Sequence, residues 1–308
     1  LYASISSVNG IATSQIIAQL SKLANYERSE AENSYMAYFF PRILYWLYGF
    51  DKNFKVELLT QNGEHQSFDL AGIALSGFKR PRKPYYEFHY LDNSIGELSI
   101  NACEGRDRFA SFCDSVFTVL AKNKTPYLVI DVRDNGGGST FHGDTLFTYL
   151  SKQAFTQYWD VEMKLSRQID PQVDSTHFVK YDAQVPSMHH NPKLFEGKTF
   201  MIANQNSFSS AAMLAATFKC YEMGTLVGQE TGGVQVFFDE PQLLKLPNTG
   251  LKFLASYQLR TCPCGSEVDR GILPDYEVEW KLEDKMKGID SEMELIKALI
   301  GESIPDKK

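Results

Sequence analysis

One stretch decides how the chain folds: Tyr127-Leu128-Val129-Ile130-Asp131-Val132-Arg133-Asp134-Asn135-Gly136-Gly137-Gly138. Its first four residues are apolar, which predicts a central strand buried on both faces of a parallel sheet. The glycines that follow allow main-chain N–H groups to approach a ligand that a Cβ would block. Such a loop can hold an anion or a developing oxyanion, but it can equally be a flexible turn. It is not a Gly-x-Gly-x-x-Gly motif and no Walker lysine follows, which disfavours a nucleotide-phosphate site.

A second buried strand, Thr199 to Ala203, also leads into a loop of polar residues. The chain continues through Asn204-Gln205-Asn206 and Ser207-Phe208-Ser209-Ser210 into a predicted helix over Ala211 to Lys219. The first N–H groups of a helix lack partners inside it and carry a positive dipole, so a serine there can attack a carbonyl whose negative charge the amides then stabilise. Serine is also a common helix cap. The glycine run and the serine together supply the parts of an acyl-transfer site.

Outward from these strands, the chain divides into two predicted parts. Residues 1 to about 84 predict a small mixed module, with a capping-box helix start at Thr13-Ser14-Gln15-Ile16 and an aromatic-rich helix over Glu30 to Tyr48. Lys79 to Pro84, with two prolines and four basic residues, predicts a linker. From residue 85 strands alternate with helices, which indicates an α/β core.

Composition excludes several classes of protein. The chain has 308 residues, 43% of them hydrophobic, which is typical of a folded globular protein. Its net charge of −7 argues against nucleic acid as a partner. The most apolar stretch, Met36 to Phe50, is interrupted by Pro41 and Arg42 and is too short to span a bilayer. The five cysteines are too scattered for a disulfide scaffold, and Cys262-Pro263-Cys264 fits a turn better than a metal or redox site.

Four segments resemble, in the same order, the motifs of the C-terminal processing (tail-specific) serine peptidases. They are Leu128 to Gly138, Ser207-Phe208-Ser209-Ser210-Ala211, Val227 to Gly233 and Gly271-Ile272-Leu273-Pro274-Asp275. The resemblance implies an α/β fold with a ClpP/crotonase-like β-β-α core at residues 85–308. It also implies a partial PDZ-like peptide-binding module at residues 1–84, inside which the chain begins, because Ile5 to Gly10 is similar to a turn of that module.

The resemblance also assigns roles to residues. Ser209 would be the nucleophile, and the backbone N–H groups of Ser210 and Gly137 would form the oxyanion hole. Bacterial members typically pair the serine with a lysine about 25 residues later. Here that loop reads Thr231-Gly232-Gly233-Val234, and no lysine occurs between Lys219 and Lys245. A lysine dyad is therefore unsupported, because valine cannot accept a proton.

A tricorn-core type of the family replaces the lysine with a Ser/His/Ser/Glu tetrad. By position, Asp269 is the candidate acid and Glu267 the reserve, although Asp269 can equally be a solvated turn carboxylate or the partner of Arg270. The histidine of this tetrad comes from a region before the PDZ-like module, and we favour a base from there. His142 follows the glycine run and is a second candidate, unless it lies at the surface or caps a helix.

The leading expectation is thus a serine endopeptidase with a polypeptide substrate, no cofactor, no metal and no integral membrane segment in this chain. A catalytically silent peptide-binding homologue of the same fold is the alternative, supported by Val234 at the lysine position. A crotonase-type acyl-CoA enzyme shares the oxyanion-hole geometry, but the serine motif and the PDZ-like turn speak against it. The resemblance alone implies an extracytoplasmic location, and the sequence leaves the oligomeric state open.

Overall fold

The computed structural model describes residues 3–302, except 24–28, 61, 75–82, 183–190 and 280. The chain forms two compact units. The first comprises Leu1–Lys83 with Lys281–Ile289, and the second comprises Pro84–Trp280 with Asp290–Lys308. Within the described ranges, no helix is both long and apolar enough to cross a membrane. Of the predicted linker Lys79–Pro84, only Lys83 and Pro84 lie among the described residues.

The first unit contains a four-stranded antiparallel sheet in the order β2-β1-β3-β4. Its elements are β1 Ala3–Val8, β2 Ile11–Ala12, α1 Thr13–Leu20, α2 Ser29–Tyr48, β3 Asn53–Thr60 and β4 His65–Ala71. Ile16 and Leu20 lie one helical turn apart and are fully buried, which explains why α1 packs on this sheet. The predicted capping box is wrong, because Ala12 occupies the N-cap and makes no side-chain cap bond.

The second unit is built on a six-stranded sheet in the order β14-β11-β10-β7-β6-β5. It also contains a four-stranded antiparallel sheet, whose strands alternate along the chain with those of the first sheet. Its elements are β5 Tyr86–Tyr90, β6 Ile95–Ile100, α3 Arg106–Asn123, β7 Tyr127–Asp131, α4 Phe141–Leu146, β8 Asp160–Leu165, β9 His177–Asp182, β10 Lys198–Ala203, α5 Ser210–Cys220, β11 Thr225–Gly228, β12 Val236–Lys245, β13 Lys252–Thr261 and β14 Tyr276–Glu277. Two helices follow, α6 Leu282–Lys287 in the first unit and α7 Ser291–Glu302 in the second.

The central strands are buried on both faces, as their apolar runs predict. Successive side chains of a strand point to opposite faces, so Leu128 and Ile130 of β7 join one core cluster while Val129 joins the other. Helices α3 and α5 contribute to the first cluster, and α7 contributes Met293, Ile296 and Ile300 to the second. The mixed α/β class of the fold is therefore observed.

The second sheet of this unit, in the order β12-β13-β8-β9, was not predicted except for part of β13. The long hairpin β12–β13 is mostly exposed or half-buried. Its apolar residues do not alternate regularly with polar ones, which removed the usual strand signal from the sequence. Glu240 in β12 has a φ of 52° and Pro241 follows it, which interrupts the strand pattern further.

Strands β7 and β10 are parallel neighbours, with Ile130 opposite Met201 and Asp131 opposite Ile202. The loops that follow them therefore leave the sheet at the same edge. We name Asp134–Gly138 the glycine loop and Asn204–Ser209 the serine loop. In open α/β sheets, ligands bind where such loops meet.

Candidate active site

Hydrogen bonds join the two loops and the residues next to them at several points. The Ser207 hydroxyl donates to the Val132 carbonyl at 2.8 Å, and the Phe208 N–H donates to the Asn135 carbonyl at 2.9 Å. At the helix start, the Ser210 hydroxyl donates to the Gly138 carbonyl at 2.6 Å. The sequence predicted that the loops are close, and these bonds fix them in register.

Asp134 adds a second connection that sequence reasoning missed. Its N–H donates to Asn204 Oδ1 at 3.1 Å, while Asn204 Nδ2 and Asn206 Nδ2 donate to Asp134 Oδ1 at 3.0 and 2.7 Å. Asp134 has a φ of 60°, a conformation that Asp and Asn adopt more easily than most residues. Short polar residues directly after both buried strands were the available signal.

Ser209 has a backbone that glycine would normally occupy, with φ 52° and ψ −124°. Holding a non-glycine residue in such a region costs about 1–3 kcal/mol, and strain of this kind concentrates at functional sites. Ser209 occupies the N-cap of α5, but its hydroxyl makes no cap hydrogen bond. The Ser209 hydroxyl has no hydrogen-bond partner among the described residues, and the residue is only half-buried. The alternative interpretation of Ser209 as an ordinary helix cap is therefore not supported.

Glycines surround Ser209 because side chains would collide with it. A Cβ at Gly137, where φ is 98°, would lie 2.7 Å from Ser209 Cβ and 3.0 Å from the Ser210 nitrogen. A Cβ at Gly233 would lie 2.9 Å from the Ser209 nitrogen. The space beside Gly137 is thus bordered by the serine side chain and by the first amide of α5. The next residue in the Gly233 loop, Val234, is buried, so the lysine position holds an apolar core residue.

The backbone donors near this space differ in availability. Among the described residues, nothing accepts a hydrogen bond from the N–H of Ser210 or of Gly138. The N–H of Gly137 donates to Asn135 Oδ1 at 2.8 Å. Asn135 is fully buried and its amide nitrogen donates to the Ile100 carbonyl at 2.8 Å, which holds the side chain in place. The structure therefore leaves the Ser210 amide open, while the Gly137 amide has a partner.

The proposed acids lie in a different environment. Asp269 and Glu267 are exposed, and within the described residues no hydrogen bond or ion pair joins Asp269 to Ser209, Ser210 or Gly137. The segment that carries them is fixed by Glu230, which accepts bonds from Arg270 Nε at 2.9 Å and from the Gly271 N–H at 2.8 Å. The structure thus brings Ser209, Ser210 and Gly137 together and leaves Asp269 outside that group.

His142 is fully buried and does not lie at the surface. Its Nδ1 is 3.1 Å from the Ser139 carbonyl oxygen and its Nε2 is 2.8 Å from the Glu104 carbonyl oxygen. Both ring nitrogens therefore face carbonyl oxygens and neither faces Ser209.

The cysteines exclude a thiolate nucleophile. Cys220 and Cys264 form a disulfide, which joins the last residue of α5 to the turn before Asp269 and was not predicted. The three free cysteines are buried. Burial raises the pKa of Cys103 to about 11 and that of Cys262 to about 12, so both thiols are protonated at neutral pH. Across the described ranges, no three His, Cys, Asp or Glu side chains are grouped to hold a metal ion.

Comparisons with known proteins concern the family and the fold of the chain. Residues 94–278 match the family model described as peptidase family S41, which confirms the predicted family. A mutant form of CPAF superposes with a TM-score of 0.70 at 14% identity, covering 97% of this chain and 77% of that one. The photosystem II D1 C-terminal processing protease gives 0.48 at 16% identity, covering 90% of this chain.

The chain spans 63% of the length of that D1 processing protease, just under two thirds. The tricorn protease gives a TM-score of 0.39 at 17% identity, covering 97% of this chain and 25% of that one. Among curated protein sequences, none matches this chain. At 14% identity the match to the CPAF mutant describes the fold alone, and the family match describes the class of protein.

Proposed function

We propose, from the premise that the chain belongs to peptidase family S41, that it is a serine endopeptidase acting on protein or peptide substrates through an acyl-enzyme at Ser209. The conformation and surroundings of Ser209 carry the proposal. Ser209 has a strained backbone, its hydroxyl is unpartnered among the described residues, and it lies against Gly137 at the start of a helix. The strain is explained if the hydroxyl must face a substrate.

In this mechanism Ser209 Oγ attacks the carbonyl carbon of the peptide bond and loses its proton to a base. The carbonyl oxygen becomes an oxyanion, which the N–H groups of Ser210 and Gly137 stabilise. Gly137 must first exchange Asn135 Oδ1 for the substrate oxygen, and the Gly138 N–H is the alternative donor because it has no partner in the described structure. When the oxyanion collapses, the C–N bond breaks and the protonated base gives its proton to the leaving amine. Water, deprotonated by the same base, then attacks the ester, and Ser209 Oγ regains a proton as the acid product leaves.

The acid and base follow the tricorn-type interpretation. We assign the acid to Asp269, with Glu267 in reserve, and the base to a histidine upstream of the PDZ-like module. The geometry of His142 supports this choice, since both of its ring nitrogens already face carbonyl oxygens.

The remaining expectations are part of the same proposal. The core at residues 85–308 has the ClpP/crotonase-like arrangement, and the module at residues 1–84 is PDZ-like and binds the C-terminal carboxylate of substrates. The protein acts outside the cytoplasm, and the Cys220–Cys264 disulfide supports this because disulfides persist in oxidising compartments.

A fluorophosphonate probe tests the nucleophile. In a version of the protein extended upstream, which would supply the proposed base, we expect the wild type to be labelled and Ser209→Ala to lose at least about a thousandfold in labelling rate, because the attacking oxygen is gone. Ser115→Ala is the matched control, since Ser115 is exposed on α3 and its hydroxyl donates to the Ser111 carbonyl at 2.9 Å. Equal labelling of wild type and Ser209→Ala would remove Ser209 from the mechanism.

A catalytically silent peptide-binding protein is the second candidate. It is favoured by the absence, among the described residues, of any ionisable group in contact with the Ser209 hydroxyl, and by buried Val234 at the lysine position. A version of the protein extended upstream separates the two. If it binds peptides but neither reacts with the probe nor cleaves casein, the silent alternative is correct.

A further inference from the structure

We propose that Arg133 is a positioning residue for the glycine loop and that helix α7 is its anchor. The inference rests on the proposed function, because it concerns the loop that borders Ser209. It also extends the site beyond the part of the chain that matches the family model, which ends at residue 278, whereas α7 begins at Ser291.

Arg133 lies directly before the glycine loop, and its side chain is bound on two sides. Toward the sheet, Nε is 3.1 Å from both carboxylate oxygens of Asp131, and Nη2 is 2.7 Å from Oδ2. Toward α7, Nη1 and Nη2 bind the two oxygens of Asp290 at 3.0 and 2.8 Å, and Nη1 reaches Glu292 at 3.3 Å. We name these four residues the Arg133 cluster. Bidentate pairs of this kind fix direction as well as distance.

The anchor side of the cluster is rigid. Asp290 Oδ1 also accepts the Met293 N–H at 3.0 Å and so caps the first turn of α7. The apolar side of α7, with Ile296 fully buried, packs against Val129 and Ile202 of the central sheet. Asp290 is therefore held by the same sheet from whose edge the glycine loop emerges.

Few residues lie between Arg133 and the part of the glycine loop beside Ser209, which limits how far that loop can move if Arg133 is fixed. The Arg133 N–H donates to Asp131 Oδ1 at 2.9 Å, so the side chain and the backbone of this residue share one carboxylate. Only three residues separate Arg133 from Gly137, which lies in contact distance of Ser209. A shift of about 1 Å in a catalytic group can cost about a hundredfold in rate.

The charges explain why Arg133 is difficult to replace. Three carboxylates surround one guanidinium whose side chain is only 18% exposed. Burial alone would raise the pKa of Asp290, but the bonds and charge of Arg133 outweigh it and lower that pKa. Burial raises the pKa of Glu292. Removing the guanidinium would leave the half-buried carboxylates of Asp131 and Glu292 without their counter-charge, which is destabilising, whereas the Asp290 carboxylate is more exposed to solvent.

Asp290→Asn is therefore the most informative variant. Asparagine still caps α7, so the substitution removes the bidentate charged pair while keeping the helix start. Arg133→Lys is the second variant, because lysine keeps the charge but cannot bind two carboxylates with a planar fork. Glu294→Gln is the control, since Glu294 forms an exposed ion pair with Lys297 at 2.8 Å on the same helix and does not contact Arg133.

Two measurements apply to each variant: the maximal rate and the half-saturating concentration of fluorophosphonate labelling, and hydrogen exchange of the amides of residues 134–139. We expect Asp290→Asn to lower the maximal rate about tenfold and Arg133→Lys about a hundredfold, with the half-saturating concentration unchanged, since positioning and not probe binding is lost. Exchange at residues 134–139 should rise in both variants. Glu294→Gln should match wild type in both measurements.

The proposal would be overturned if Asp290→Asn kept the labelling rate of the wild type, even with faster hydrogen exchange. It would also be overturned if the amides of residues 134–139 exchanged at the wild-type rate in this variant. If wild type itself is not labelled at Ser209, the proposed function fails, and hydrogen exchange alone then decides whether the Arg133 cluster holds the loop. Faster exchange in Asp290→Asn would support the cluster in that case, and unchanged exchange would overturn it.

Discussion

The two halves of the serine loop have opposite properties, although they are adjacent in sequence. In Asn204–Ser207, polar groups bind one another: Ser207 is fully buried, donates to the Val132 carbonyl and accepts the Asn204 N–H at 3.0 Å. In Phe208–Ser209, the Phe208 side chain is 39% exposed, and Ser209 has a strained backbone and a hydroxyl without a partner in the described structure. The side chains of the first half hold the loops together, whereas in the second half the backbone of Phe208 does so and the Ser209 hydroxyl is left for a ligand.

Gly137→Ala should have the largest effect, because it acts on the second half alone. A methyl group at φ 98° would lie 2.7 Å from Ser209 Cβ and fill the space beside the Ser210 amide. We expect fluorophosphonate labelling to fall by about a hundredfold or more, as when an oxyanion-hole donor is removed. Gly136→Ala is the control, since nothing lies within 4 Å of its added Cβ. Equal labelling of the two variants would show that the space is not used.

Ser207→Ala should lower the stability of the protein more than Ser209→Ala does. It leaves the Asn204 N–H without its acceptor and removes the shorter of two hydrogen bonds to the buried Val132 carbonyl, which keeps the Asn135 N–H at 3.4 Å. This loss costs about 1–3 kcal/mol in the free energy of unfolding. Ser209→Ala should cost much less, because no hydrogen bond is lost. Chemical denaturation of both variants measures the difference. If Ser209→Ala is the more destabilising, the division of roles between the two halves is wrong.

Ser209→Gly should have the smallest effect, and this effect is an increase in stability relative to Ser209→Ala. Glycine adopts φ 52° and ψ −124° without steric cost, so relief of strain outweighs the added freedom of the unfolded chain. We expect Ser209→Gly to be about 1 kcal/mol more stable than Ser209→Ala, with both unlabelled by the probe. Their thermal midpoints give the comparison, and a less stable glycine variant would show that the backbone of Ser209 is not strained.

The predicted parts of this structure depend on local sequence. The apolar runs of β7 and β10 predicted two strands of the central sheet, and the glycines and serines after them predicted the candidate site. The motif resemblance predicted the peptidase family, which the family match confirms. The roles of Ser209, Ser210, Gly137 and Asp269 remain proposals.

The parts that the sequence did not reveal depend on contacts between distant residues. Arg133 and Asp290 are 157 positions apart, and Cys220 and Cys264 are 44 apart, so no local pattern pairs them. The bond between Asn135 Oδ1 and the Gly137 N–H is local, but it depends on the buried position of Asn135 beside Ile100. Strand β8 was missed although Asp160–Leu165 alternates polar and apolar residues, so a period of two was an available signal. In β12, Glu240 with its positive φ and Pro241 interrupt the strand pattern.

The most direct test of the account is a crystal structure of the protein after reaction with a peptidyl phosphonate. We predict a covalent bond from phosphorus to Ser209 Oγ, with the phosphoryl oxygen about 3 Å from the Ser210 nitrogen and directed at the amides of the glycine loop. A bond to any other residue, or a phosphoryl oxygen turned away from these amides, would contradict the account.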